Sequence, residues 1–165
     1  MFEIGDYVVN VTNGICKIDS TLKMDLSGSG VEKEYFLLVP IKEASSKVYI
    51  PVETAETRMR HVMTEDEAKR VVNTIPEVEA LVVENEKLRE ATYKEAIKST
   101  KPEQLVGILK TLYRRRNERL AQGKNTTAVD DRYFKMAENQ LHGELAFVLG
   151  MDKAEIPAMI AEVCE

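Results

Sequence analysis

An α+β fold is predicted, with a small β domain over residues 1–60 and an all-α domain of about five helices over residues 61–165. Two observations carry this. Up to about Arg60 the apolar residues come in short runs rich in β-branched and aromatic types, and beyond it they recur at three- and four-residue spacing. The punctuation changes at the same place. Asn13-Gly14 and Ser27-Gly28-Ser29-Gly30 divide the first part like hairpin tips, whereas capping residues divide the second. At 44% hydrophobic and 31% charged, the 165 residues hold enough apolar side chains for a core.

Tyr7-Val8-Val9-Asn10-Val11 reads as the first strand, turned by Asn13-Gly14 into a second strand that carries Ile15, Cys16 and Ile18 and ends near Lys23. The segment Ser27 to Gly30 reads as a flexible tip. Glu34 to Val39 is the most apolar strand. Lys47 to Val52 follows, and its Pro51, which has no N–H, belongs at a strand end or a sheet margin. Four or five short strands of this kind suggest a small, strongly bent sheet or barrel.

In the second part, Thr64 with Glu67 matches a capping box. Pro76 suits the first turn of a helix, and Val78, Leu81, Val82, Leu88 and Ile97 then support a long helix to about Ser99. Thr100 with Glu103 is a second capping box. The stripe Leu105, Ile108, Leu109, Leu112 and Tyr113 follows it, in a helix that stops near Gly123. Thr127 with Asp130 opens a fourth helix ending at Gly150. Asp152 with Glu155 opens a last short one, whose start Pro157 delays.

Several function classes are excluded on composition and spacing. The net charge is −5, with 7 basic against 9 acidic residues up to residue 60 and 16 against 19 after it. Neither part has the basic excess of a protein that grips DNA alone through many phosphates. There is no GxxxxGK[ST] or GxGxxG phosphate cradle and no CxxC, and His61 and His142 are isolated, so no metal and no cofactor is expected. Asp130 and Asp131 are adjacent and point about 100° apart on a helix, which suits a helix start rather than a shared site. No nucleophile stands with a base, so neither an enzyme nor a small-molecule substrate is expected. Cys16 reads as a small buried hydrophobe. No run approaches the roughly 18 apolar residues of a membrane span. The N-terminal MFEIGDYVV does not read as a signal peptide, so a cytoplasmic location with no membrane partner is expected.

The β part reads FEIGDYVVNVTNGICKI, then EYFLLVPI, then VYIPVE. This order resembles the polymerase-interacting domain shared by CarD/CdnL-family bacterial transcription regulators and transcription-repair coupling factors. The resemblance is carried by Ile4-Gly5-Asp6-Tyr7-Val8-Val9, by Asn13-Gly14-Ile15, by Tyr35 to Leu38, and by Ile50-Pro51. In the second part, LYRR at Leu112 to Arg115 and GELA at Gly143 to Ala146 resemble two anchors of the CarD/CdnL helical domain. A full coupling factor is excluded, since 165 residues without an ATP-binding motif hold no helicase motor.

The resemblance implies a Tudor-like β domain that docks on the β subunit of bacterial RNA polymerase by extending a sheet, and a helical domain placed against promoter DNA. It places the polymerase-binding residues at Lys23, Met24, Leu26, Val48 and Tyr49. Tyr49 also reads as a half-buried strand aromatic. Relatives that stabilise the open promoter wedge a tryptophan into the minor groove, but this chain has no Trp, and the aligned position is Glu86. Arg89 matches a basic DNA-facing residue. Arg114 and Arg115, in the run YRRRNERL, admit two readings. One is a solvated, helix-stabilising set, with Arg115 pairing nearby acids such as Glu118. The other is a set of phosphate contacts.

Overall fold

The first three strands are a meander whose turns are written locally. β1 (Tyr7–Asn10) pairs antiparallel with β2 (Gly14–Met24), and Gly14 takes the left-handed conformation at φ +70° that closes a three-residue loop. Asn10 organises that loop. Its Oδ1 accepts from Thr12 N at 3.1 Å and Asn13 N at 3.2 Å, while its Nδ2 donates to Arg58 O at 3.3 Å. β2 then pairs with β3 (Lys33–Pro40) through a bulge between Ile18 and Ser20. At that bulge Ile18 exchanges bonds with the N-terminal segment, accepting from Gly5 N at 2.8 Å and donating to Asp6 O at 2.9 Å. The tip between β2 and β3, read as flexible from its glycines and serines, is closed by Asp25. Its carboxylate accepts from Ser29 N at 3.2 Å and Gly30 N at 2.7 Å.

β4 (Val48–Pro51) pairs with β3, and a single helical turn, α1 (Ala55–Arg58), leads to β5 (Met59–His61), which pairs with β1. The sheet order is β4-β3-β2-β1-β5, so Pro51 lies at the end of a margin strand, a position that tolerates a residue without an N–H. One face of the sheet carries the core: Val8, Cys16, Ile18, Phe36, Leu38 and Ile50, with Ala55 and Met59. Cys16 is fully buried there, and burial pushes its thiol pKa up to about 11.

The computed structural model describes residues 1–164 and divides the chain into two units, Met1–Val62 and Met63–Glu165. Five α-helices of the second unit are described: α2 (Glu65–Thr74), α3 (Arg89–Lys98), α4 (Pro102–Ala121), α5 (Ala128–Leu149) and α6 (Ile156–Cys164). None is long and apolar enough to cross a membrane. Local signals set most of their ends. Thr64 and Glu67 form the reciprocal capping box, Thr127 Oγ1 accepts from Asp130 N at 3.1 Å, and Gly123 and Gly150 follow α4 and α5 at positive φ. Asp152 starts a 3-10 turn that runs into α6, with Pro157 in its first turn. Leu105, Ile108 and Leu112 of α4 interlock with Ala137, Leu141 and Leu145 of α5, closed by Tyr93, Ala96 and Ile97 of α3.

Three expectations fail here. The long helix from Pro76 does not form. Pro76 lies within only a 3-10 turn (Ile75–Glu77), and residues 78–85 run without helix as a strap along α4. The strap's main chain is satisfied by α4 instead of by itself. Leu81 N donates to Thr111 Oγ1 at 2.8 Å, and Lys110 Nζ donates to Val78 O. Gly107 makes the close approach possible, since a Cβ there would meet Leu81 Cδ2 at 3.0 Å and Glu79 O at 3.2 Å. The capping box at Thr100 is also absent. Lys101 is the N-cap of α4 with no side-chain cap, and Thr100 takes φ +57°, a strained conformation for a β-branched residue. Tyr113, placed in the apolar stripe, is 59% exposed, so the buried stripe ends at Leu112.

Candidate functional site

Two regions carry the candidate residues, and each builds its surface differently. In the β unit the feature is a sheet margin. β4 pairs with β3 only, leaving its other side without a ladder partner among the described residues, which is a template for an added strand. Val48 lies opposite Leu38 and packs partly against the core, whereas Tyr49 lies opposite Leu37 on the other face and is 38% exposed. Strand alternation puts Lys33, Tyr35 and Leu37 on that outer face. Their β2 partners Met24, Leu22 and Ser20 lie there too. Met24 and Tyr49 thus share one face, Lys23 opposes Glu34 on the other, and Leu26 stands past the end of β2, 58% exposed. Leu22 and Leu37, half-buried on the outer face, are additional apolar members of the surface. Their signal lies in EYFLLV, a strand apolar on both faces, where a sheet with one solvated face would alternate.

In the helical unit the feature is an ion-pair network. Glu86 opens a 3-10 turn (Glu86–Leu88) held by Asn85, whose side chain accepts from Lys87 N. Glu86 Oε2 accepts from Arg89 Nε at 2.8 Å, and its Oε1 accepts from Arg89 Nη2 and lies 3.6 Å from Arg115 Nη1. Behind them Arg89 Nη1 donates to Tyr93 OH at 3.0 Å, and Arg115 Nε donates to Asp130 Oδ2 at 2.6 Å. The Arg89 hydrogen bond holds the Glu86 carboxyl below the usual carboxylate range, and burial raises Tyr93. A neighbouring set continues the pattern. Glu90 accepts from Tyr133 OH and from Arg132 Nη2, each at 2.9 Å, and the Tyr133 bond lowers its pKa.

Three of the four residues assigned to DNA, Glu86, Arg89 and Arg115, are therefore brought together, and Arg114 is not. Arg115 does pair acids, but Asp130 and Glu86 rather than Glu118, because it turns inward across α5 instead of along its own helix. Arg119 Nε donates to Asn125 O at 2.8 Å, behind the end of α4. Arg114 and Arg116 stand exposed, without an ion pair or hydrogen bond among the described residues. Asp130, 10% exposed at its side chain, reads from sequence only as a helix-start acid. Its further role depends on a partner 15 residues away. Of the two histidines, His61 lies at the surface and His142 is buried. His61 Nε2 lies 3.0 Å from Asp6 Oδ2 with the Phe2 ring tilted against its own, and burial lowers the pKa of His142.

No curated protein matches the chain. Residues 2–63 match the family model of the CarD-like/TRCF RID domain, a protein-interaction domain rather than a catalytic one. The match spans the N-terminal unit with its five-stranded antiparallel sheet, which is thus similar to the CarD-like/TRCF RID domain.

Proposed function

We propose that the chain is a transcription regulator that binds the β subunit of bacterial RNA polymerase and modulates the stability of the open promoter complex. The observation that supports this most is the domain match over residues 2–63, whose family points to a polymerase partner and a transcription-related role. Residues 1–60 act as the docking part, with β4 offering its free margin and Tyr49, Met24 and Leu26 an apolar contact. Lys23 and Val48 flank that surface. Residues 61–165 face the promoter, where the exposed Arg114 contacts phosphate directly and Arg89 and Arg115 stand beside Glu86. With a net charge of −5 such contact is weak alone and becomes effective through tethering on polymerase, in the cytoplasm.

Glu86 occupies the position of the relatives' tryptophan and cannot prop open a base step, so the effect on open-complex lifetime differs from theirs in size or sign. A second reading, an adaptor that recruits or blocks other polymerase-binding factors without touching DNA, is favoured by one observation: Arg89 and Arg115 already face carboxylates.

The test is the lifetime of open complexes formed by bacterial polymerase at fixed low salt, with wild-type protein, Glu86→Trp, Arg89→Ala and Arg114→Ala. The regulator reading expects the wild type to change the lifetime, the alanine variants to weaken that change, and Glu86→Trp to lengthen the lifetime. Bound protein that leaves every lifetime unchanged would establish the adaptor.

A further inference from the structure

Glu86 is the outermost member of its network and the least anchored. It is 68% exposed at the side chain and opens the 3-10 turn that leads into α3, whereas its guanidinium partners, Arg89 at the start of α3 and Arg115 within the 20-residue α4, are only 19% and 24% exposed. Those guanidiniums are also held without it, Arg89 by Tyr93 OH and Arg115 by Asp130. What remains when the Glu86 side chain swings out is a pair of fixed guanidiniums facing solvent from one place. Guanidinium groups accept a carboxylate and a phosphate through the same forked geometry, two oxygens against two N–H groups. The Glu86 carboxylate fills that fork now, through Arg89 Nε and Nη2, and bridges to Arg115.

We propose that Arg89 and Arg115 form a phosphate-binding site that Glu86 occupies as an internal competitor, and that a DNA backbone phosphate is the ligand that displaces it. Only the naming of DNA as the phosphate source rests on the promoter-facing reading; the site itself stands on the geometry. A tethered carboxylate acts at high effective concentration, so a free phosphate at low concentration loses the competition. A phosphate presented repeatedly beside the site, on a chain already held on polymerase, wins it. The carboxylate thus restricts DNA contact to the assembled complex and suppresses stray binding.

The experiment uses the full chain without polymerase. Melting temperature is read in inorganic phosphate against chloride of equal ionic strength. Affinity for labelled duplex DNA is read by anisotropy at fixed low salt. Three proteins are compared with wild type: Glu86→Gln, Glu84→Gln, which removes the same charge from an exposed position in the strap, and Glu86→Gln combined with Arg89→Ala. The expected result is a phosphate-specific rise in melting temperature for Glu86→Gln, DNA binding tightened about threefold or more, no such change for Glu84→Gln, and loss of the gain in the double variant. Equal gains from Glu84→Gln and Glu86→Gln, or no phosphate response in Glu86→Gln, would overturn the site. A gain with inorganic phosphate and none with DNA would overturn the assignment to DNA. Because polymerase is absent from these measurements, a failure of docking, read separately by co-purification, leaves their outcome unaffected.

Discussion

The two units treat their polar groups in opposite ways. The β unit leaves a strand margin open at β4 and shows Tyr49, Leu26 and part of Met24 on its surface. The helical unit pairs its charges within itself: Arg115 with Asp130, Arg89 with Glu86, Arg132 with Glu90, and Lys110 with a main-chain carbonyl of the strap. An unpaired margin is a template that another chain's strand can extend, whereas a closed network has no such need. The arginine-rich run of α4 is therefore first a structural device: Arg115 and Arg119 are held within the unit, and Arg114 and Arg116 stand exposed without an ion pair among the described residues.

That division within one run gives the sharpest prediction. Arg115→Ala removes the cation beside the nearly buried Asp130 carboxylate, leaving it the 3.4 Å hydrogen bond from Tyr93 OH, and is expected to cost about 2–3 kcal/mol of stability, while Arg114→Ala stays within about 0.5 kcal/mol. Denaturant unfolding of the two variants checks this, and equal losses would erase the distinction between inward and outward arginines. Next in size is Gly107→Ala, expected to cost about 1–2 kcal/mol by pushing Leu81 and the strap off α4. An unchanged midpoint would mean that the strap is not packed as described.

The smallest effect is a pH dependence. Burial holds the folded pKa of His142 below its ordinary 6.5, so on acidification the unfolded chain takes up the proton first. Its contribution to stability is complete above 6.5 and is lost as the pH falls through the folded value. Glu138 and Lys153 are the charged groups that modulate it. Comparing the pH profile of the melting temperature with that of His142→Gln checks this, and the variant is expected to be flatter below 6.5.

What is legible in the chain is local chemistry. The Asn13-Gly14 loop, the Thr64–Glu67 box, the Thr127 cap and the glycines after α4 and α5 act within a few residues, and each does what its type predicts. The failures share a cause of the opposite kind. Val78, Leu81 and Val82 have helical spacing, but the strap's polar groups find partners on α4 about 30 residues on, which no local period can reveal. Thr100 with Glu103 has the letters of a capping box, yet Thr100 turns left-handed and Lys101 takes the cap position. Motifs propose candidate positions such as Glu86 and Arg89, but the grouping of Glu86, Arg89 and Arg115 is not legible in them. Asp130, which holds Arg115 in place, lies on another helix.

Docking through the open margin of the β unit is tested most directly by equilibrium binding of the full chain to purified bacterial RNA polymerase, wild type against Tyr49→Asp. Tyr49 is partly exposed at the margin and outside the core, so the variant is expected to keep its melting temperature. The wild type is expected to bind, and Tyr49→Asp to bind at least about tenfold more weakly. Equal binding by the two proteins, or no binding by either, would contradict docking through this margin.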